Sequence, residues 1–86
     1  MEIILTPEAE QDLEFWVKTG RKDLLKKISK LLESIAETPF EGIGKPERLK
    51  FELTGYWSRR ISKEHRLVYR IEKESILIFS LKGHYN

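Results

Sequence analysis

A carboxylate, a group of cations and a C-terminal imidazole are the residues of this chain best suited to chemistry. Glu47 stands in the stretch Pro39-Phe40-Glu41-Gly42-Ile43-Gly44-Lys45-Pro46-Glu47-Arg48-Leu49-Lys50, rich in glycine and proline. Arginines cluster in Tyr56-Trp57-Ser58-Arg59-Arg60-Ile61-Ser62-Lys63-Glu64-His65-Arg66-Leu67-Val68-Tyr69, and the chain ends Gly83-His84-Tyr85-Asn86. Cleaving RNA without a metal takes a base for the 2′-hydroxyl, cations for the charged five-coordinate phosphate and an acid for the leaving 5′-oxygen. Glu47 could supply the base, Arg66 the phosphate clamp and His84 the acid. Lys50 and Arg60 would add positive charge, and Tyr85 could stack on a base.

Each residue also has an ordinary structural reading. Glu47 could be a loop carboxylate paired with Lys45 or Arg48. Arg66 could be half of a cross-strand ion pair with Glu64 or Glu47. Lys50 and Arg60 taken singly are solvated surface cations. His84 could be an exposed terminal histidine, and Tyr85 a small apolar anchor. His65 falls on the core-facing side by alternation and reads as structural. Two histidines without cysteine make a weak metal site, so no metal or other cofactor is expected. Gly42 and Gly44 do not belong to a nucleotide-binding loop, because no G-x-x-x-x-G-K-[ST] pattern or helix start follows them. Trp57 reads as core or hinge packing.

The elements that must position these residues are legible from periodicity. Residues 2–5 are a short strand. Thr6 and Pro7 form a helix start, with Thr6 as N-cap and Pro7 in the first helical position. Ala9, Leu13, Trp16 and Val17 recur at helical spacing, and Thr19-Gly20 ends this helix. A second helix spans about 21–37, with the stripe Leu24, Leu25, Ile28, Leu31, Leu32, Ile35 and Ala36. Thr38-Pro39 stops it. After the loop come four strand candidates: Leu49, Phe51 and Leu53 in alternation, then 56–61, 65–71 and 75–82, with short polar turns. The reading is α+β, one domain over 1–86: an antiparallel sheet in the order βααββββ with two N-terminal helices on one face. Alternation puts Leu67, Tyr69 and Ile71 on the helix side and Arg66, Val68 and Arg70 on the other. On 56–61, Arg59 shares a face with Trp57 and Ile61, and Arg60 shares the other with Tyr56 and Ser58. Alternation alone does not choose between Arg59 and Arg60 as the neighbour of Arg66.

Composition sets the outer bounds. The 86 residues are 40% hydrophobic and 35% charged, with no cysteine, so disulfides and thiolate metal sites are excluded. No apolar run approaches a membrane span. Met1-Glu2-Ile3-Ile4-Leu5 is too short and too acidic for a signal peptide, and the expected location is the cytoplasm. The net charge of +2 is unevenly spread: residues 1–38 carry −2 and residues 39–70 carry +4. A polyanionic partner suits that distribution, as does a merely solubilising basic face.

The long phrases between residues 39 and 69, with the terminal His84-Tyr85, closely resemble the YoeB/Txe toxins of bacterial toxin–antitoxin pairs, in the RelE superfamily. The resemblance covers nearly the whole chain and includes loop residues that packing would not dictate. It implies a small RelE-like fold and a ribosome-dependent endoribonuclease that cuts mRNA in the decoding (A) site and stops translation. It matches Glu47, Arg66 and His84 to base, phosphate-binding cation and acid. Lys50 and Arg60 match supporting cations, and Tyr85 the terminal tyrosine. It favours Arg60 over Arg59 beside Arg66. The implied partners are a YefM/Phd-like antitoxin, the ribosome with its mRNA, and a second copy in a homodimer. Two other functions compete: a gyrase-poisoning toxin of the ParE type on the same fold, and an RNA-binding module without catalysis.

Overall fold

The computed structural model describes residues 1–83. Strand β1 (Glu2–Leu5) leads into helix α1 (Pro7–Lys18), and α2 (Lys22–Glu37) follows after a tight connection. Thr6 caps α1 as expected: its Oγ1 accepts the Ala9 amide proton, with Pro7 in the first turn. The same hydroxyl donates to the Phe79 carbonyl at 2.8 Å and so ties the helix start to the sheet. The meander comprises β2 (Glu47–Arg48), β3 (Trp57–Arg60), β4 (Arg66–Glu72) and β5 (Ser75–Ser80). The sheet order is β1-β5-β4-β3-β2.

The α+β architecture agrees with the sequence reading, with two refinements. The sheet is mixed instead of wholly antiparallel, because β1 pairs in parallel with β5, Ile3 opposite Ile76 and Leu5 opposite Ile78. Both helices lie between β1 and the meander, giving the chain the long crossover that a parallel neighbour requires. Strand periodicity carries no information about direction. The second refinement concerns Leu49, Phe51 and Leu53, whose alternation suggested a strand. The strand there is only Glu47–Arg48, and Phe51–Leu53 is a 3₁₀ turn. Phe51 has φ 57 and is 81% exposed, so its place in the alternation does not reflect burial. The Phe51 carbonyl accepts from both the amide and the hydroxyl of Thr54, which closes the turn.

Ala9 and Trp16 from α1, and Leu24, Ile28, Leu31 and Ile35 from α2, pack on Ile61, Leu67, Tyr69, Ile76, Ile78 and Leu81. Most of these belong to the stripes that helical and strand spacing marked out, but Val17, 58% exposed, and Ala36 lie on the solvent side of their helices. Among the packed residues lies one charge. Arg59 is 0% exposed, on the core face of β3. Its Nη1 donates to Ser34 Oγ at 2.7 Å and to the Ile43 carbonyl at 3.1 Å. Its Nη2 donates to the carbonyls of Thr38 at 2.7 Å and Glu41 at 2.8 Å. Its Nε donates to Tyr69 Oη at 3.2 Å, and that hydroxyl in turn donates to the Pro39 carbonyl. All five guanidinium N–H groups are therefore used. The last turn of α2 holds no basic residue of its own, and Arg59 supplies the cation that its C-terminal carbonyls favour.

Gly42 and Gly44 are needed because the loop lies tightly on this arginine and on α2. A Cβ at Gly42, where φ is +122, would come within 2.5 Å of Ser34 Oγ. One at Gly44, where φ is +84, would come within 2.6 Å of Leu31 Cδ2. Lysine in place of Arg59 has three donors for five acceptors, so at least two of these acceptors lose their partner. Arg59→Lys is expected to lower the unfolding free energy by about 2–4 kcal/mol, and Gly42→Ala by about 1–3 kcal/mol. Urea denaturation followed by circular dichroism measures both. An Arg59→Lys protein as stable as wild type would mean that the five-way network holds nothing in place.

Candidate functional site

The face of the sheet away from the helices gathers the charged residues that the sequence singled out. Across β3 and β4, Arg60 lies directly opposite Arg66, Ser58 opposite Val68, and Arg59 opposite Leu67. The register therefore separates the two neighbouring arginines. Arg59 belongs to the core, and Arg60 shares the outer face with Arg66. On the other side of β3, Glu47 lies opposite Ser58. The outer face thus reads Glu47, Ser58, Val68 along one row, with the Arg60–Arg66 pair in the next. Ser58 and Val68 are buried, as is Leu49, so this face has a small packed floor of its own.

Arg66 is more deeply set than alternation suggested, at 8% exposure. Its Nη1 donates to the carbonyls of Ser62 at 2.8 Å, Lys63 at 3.2 Å and His65 at 3.1 Å. The turn between β3 and β4 therefore orients the guanidinium. Among the described residues, Nε and Nη2 make no hydrogen bond. The pKa of Arg66 is lowered, first by burial and then by the Arg60 charge, with the Glu47 carboxylate opposing both. Arginine keeps its proton at any working pH, so these influences describe a field and not a titration.

The ordinary pairings considered for these side chains do not occur. Ion pairs among the described residues join Lys18 to Glu14, Arg21 to Asp23 and Arg70 to Glu72. Glu47, Arg60 and Arg66 are in none of them. Arg48 lies over the Trp57 ring, 5.6 Å from its centroid, and does not pair with Glu47. Trp57 is partly buried and packs against Phe40 at 4.9 Å between centroids, which agrees with a packing role. Lys50 is exposed and immediately precedes the 3₁₀ turn. Two like charges facing each other across a ladder destabilise the sheet. Such an arrangement is expected where an anion completes the site.

His84 and Tyr85 lie outside the described residues. Gly83, the last described residue, is fixed by two hydrogen bonds. The Arg66 amide donates to the Gly83 carbonyl at 2.9 Å, and the Gly83 amide donates to His65 Nδ1 at 3.0 Å. His65 also packs edge-on against Trp16, with centroids 4.7 Å apart. The sequence reading of His65 as structural missed this bond, because strand alternation shows a side chain's face and not its partner beyond the strand's end. Three further residues outside the sequence-derived site meet nearby: Arg70 lies 4.9 Å from the Tyr56 ring centroid, and Tyr56 lies 5.3 Å from Phe79. Only the aromatic content of these strands hinted at that group.

The sequence and the fold both have known relatives. A family model described as YoeB-like toxin of bacterial type II toxin–antitoxin system matches residues 5–85. The chain is 46% identical to toxin YoeB of Escherichia coli K12 over 85 residues, covering 99% of this chain and all of the relative. Among solved structures, a YoeB/ParE toxin from Agrobacterium tumefaciens superposes with a TM-score of 0.94 at 40% identity, over 99% of this chain and 100% of that one. YoeB in a YoeB–YefM complex from Staphylococcus aureus gives 0.89 at 48% identity, over 99% and 98%. A structure described as the YoeB dimer from Staphylococcus aureus gives 0.90, also at 48% identity and over 99% and 98%. With the match running over nearly its whole length, this chain belongs to the YoeB-like toxins of bacterial type II toxin–antitoxin systems.

Proposed function

We propose that the protein is a ribosome-dependent endoribonuclease that cuts mRNA in the ribosomal A site and stops translation. The observation that carries the proposal is the Arg60–Arg66 pair facing across the ladder, close to Glu47 and without a carboxylate partner among the described residues. A packed sheet gains nothing from two unpaired cations in register, whereas a phosphate between them gains from both.

In this mechanism the Glu47 carboxylate takes the proton of the ribose 2′-hydroxyl, and the 2′-oxygen attacks the adjacent phosphorus. The free side of the Arg66 guanidinium holds the non-bridging oxygens as their charge grows. Arg60 and Lys50 add to the positive field. As the bond from phosphorus to the 5′-oxygen breaks, the His84 imidazolium gives its proton to that oxygen, and Tyr85 stacks against a base. The products are a 2′,3′-cyclic phosphate and a 5′-hydroxyl. Each step uses a side chain of this protein, so no cofactor is called for. The partners in this reading are a YefM/Phd-like antitoxin, the ribosome with its mRNA, and a second copy of the chain in a homodimer. The place of action is the cytoplasm. The YoeB–YefM complex and the YoeB dimer among the similar structures support the two protein partners.

Two variants test the site. Truncating Arg66 would strip the 62–65 turn of its donor, so the cleaner change is Arg66→Lys, which keeps a cation there and loses the planar fork. It is expected to lower ribosome-dependent cleavage by about 10²-fold while the protein stays folded. Toeprinting on translating ribosomes reads the cut, and a folded Arg66→Lys protein that cuts at the wild-type rate would remove Arg66 from the mechanism. A message carrying a 2′-deoxynucleotide at the cut position must stay intact, and its cleavage would overturn attack by the 2′-hydroxyl.

Arg60→Thr separates stability from activity. Relieving the like-charge pair is expected to raise the melting temperature by about 2–4 °C. Cleavage should fall about 10-fold in the same protein, because one phosphate contact is lost. Calorimetry and toeprinting give the two values. A variant with lower stability and full activity would contradict both parts.

A further inference from the structure

Beyond Ser80 the chain is held by side chains from other elements, which take over where the ladder stops. Near its end β5 carries a bulge: Val68 is opposite Ser80 while Tyr69 is opposite Ile78, leaving Phe79 as the extra residue. From there Leu81 is gripped on both sides of its backbone by α1. Its amide donates to Asp12 Oδ2 at 2.9 Å, and its carbonyl accepts from Trp16 Nε1 at 2.9 Å. Two residues later, Gly83 gives its amide proton to His65 Nδ1 at 3.0 Å, and its carbonyl accepts from the Arg66 amide at 2.9 Å.

Nδ1 serves here as the acceptor, which an imidazole can do only through a ring nitrogen that bears no proton. Gly83 has φ +92, and a Cβ built on it meets nothing within 4 Å, so glycine is required there by the backbone turn and not by crowding. The peptide group that contains the Gly83 carbonyl is planar and begins the next residue. Gly83 is held at both its amide and its carbonyl, the carbonyl directly on the Arg66 amide.

We propose that His65 is a positioning residue for the site: its Nδ1 accepts the Gly83 amide and thereby holds Gly83, the residue that precedes His84 in sequence, against the backbone of Arg66. The catalytic consequence rests on the ribonuclease reading above. If His65 only packs on Trp16, any ring of similar shape will serve. If it positions the chain, the acceptor atom is what counts. His65→Phe keeps a ring against Trp16 and removes the acceptor, whereas His65→Asn puts an amide oxygen close to the Nδ1 position.

The first measurement uses ¹⁵N-labelled wild-type protein: a scalar coupling across the hydrogen bond from the Gly83 amide to His65 Nδ1 is expected, and its absence would overturn the proposal. In His65→Phe, hydrogen exchange at Gly83 should quicken about 5–10-fold and the amide resonances of residues 84–86 should shift, with His65→Asn close to wild type on both counts. On translating ribosomes, His65→Phe is expected to lower kcat by about 10–10²-fold with KM little changed, and His65→Asn to recover most of it. Equal behaviour of the two variants, in either direction, would overturn the positioning role. Should His65→Phe fail to fold, His65→Gln replaces it, since its longer amide reaches past Nδ1 and should not restore the bond. If the wild-type protein leaves mRNA intact on the ribosome, the ribonuclease reading fails, and coupling, exchange and chemical shifts alone decide whether His65 holds Gly83 in place.

Discussion

The buried Arg59 guanidinium determines how the rest of this small protein is arranged. It joins the last turn of α2, the glycine-bearing loop and the sheet through five donated hydrogen bonds. Desolvating a cation is expensive unless every donor finds an acceptor. Here the acceptors are a hydroxyl, a phenol and three main-chain carbonyls, with no carboxylate among them. Those carbonyls belong to residues that would otherwise form a loose irregular loop. Because the loop is bound to Arg59, Glu47 starts a strand of fixed register beside β3.

The elements were largely legible because they follow from periodicity and capping, which are local. Thr6-Pro7 announces α1, and the Leu24 to Ile35 stripe gives α2 its buried side. The direction of β1 was not legible, since alternation is the same for either orientation. The supposed strand through Phe51 illustrates a different failure. Three apolar residues at alternate positions met the strand pattern by composition, yet the chain there turns with Phe51 at positive φ and in solvent. For the site, residue types indicated the chemistry and alternation sorted the faces. Choosing Arg60 over Arg59 needed the strand register, which is a nonlocal property set by the pairing of β3 with β4. The bond from Gly83 to His65 was hidden for the same reason: its partners are eighteen residues apart and neither belongs to a ladder.

Arg59 and Arg60 are adjacent in sequence and opposite in consequence. Each follows from the same rule, that a cation is stabilised by whatever acceptors surround it. The core side of β3 provides a full set from within the chain. The outer side places Arg60 opposite another arginine, and among the described residues the negative charge acting on that second arginine is Glu47. Internal saturation on one face lends rigidity, and on the other Nε and Nη2 of Arg66 keep no hydrogen-bond partner among the described residues. The stability that the outer pair forfeits is small for a protein with a fully bonded cation in its core.

The same contrast extends to the chain's end. Within β5 the backbone is held by neighbouring strands, and beyond it by Asp12, Trp16, His65 and the Arg66 amide. Side-chain partners can be lost one at a time, whereas a ladder opens cooperatively. A segment held in this way has a defined position and a low cost of release. Arg66 takes part in both arrangements: its guanidinium faces the site and its amide holds Gly83. Anything that moves the backbone at Arg66 therefore disturbs its guanidinium and the position of Gly83 together.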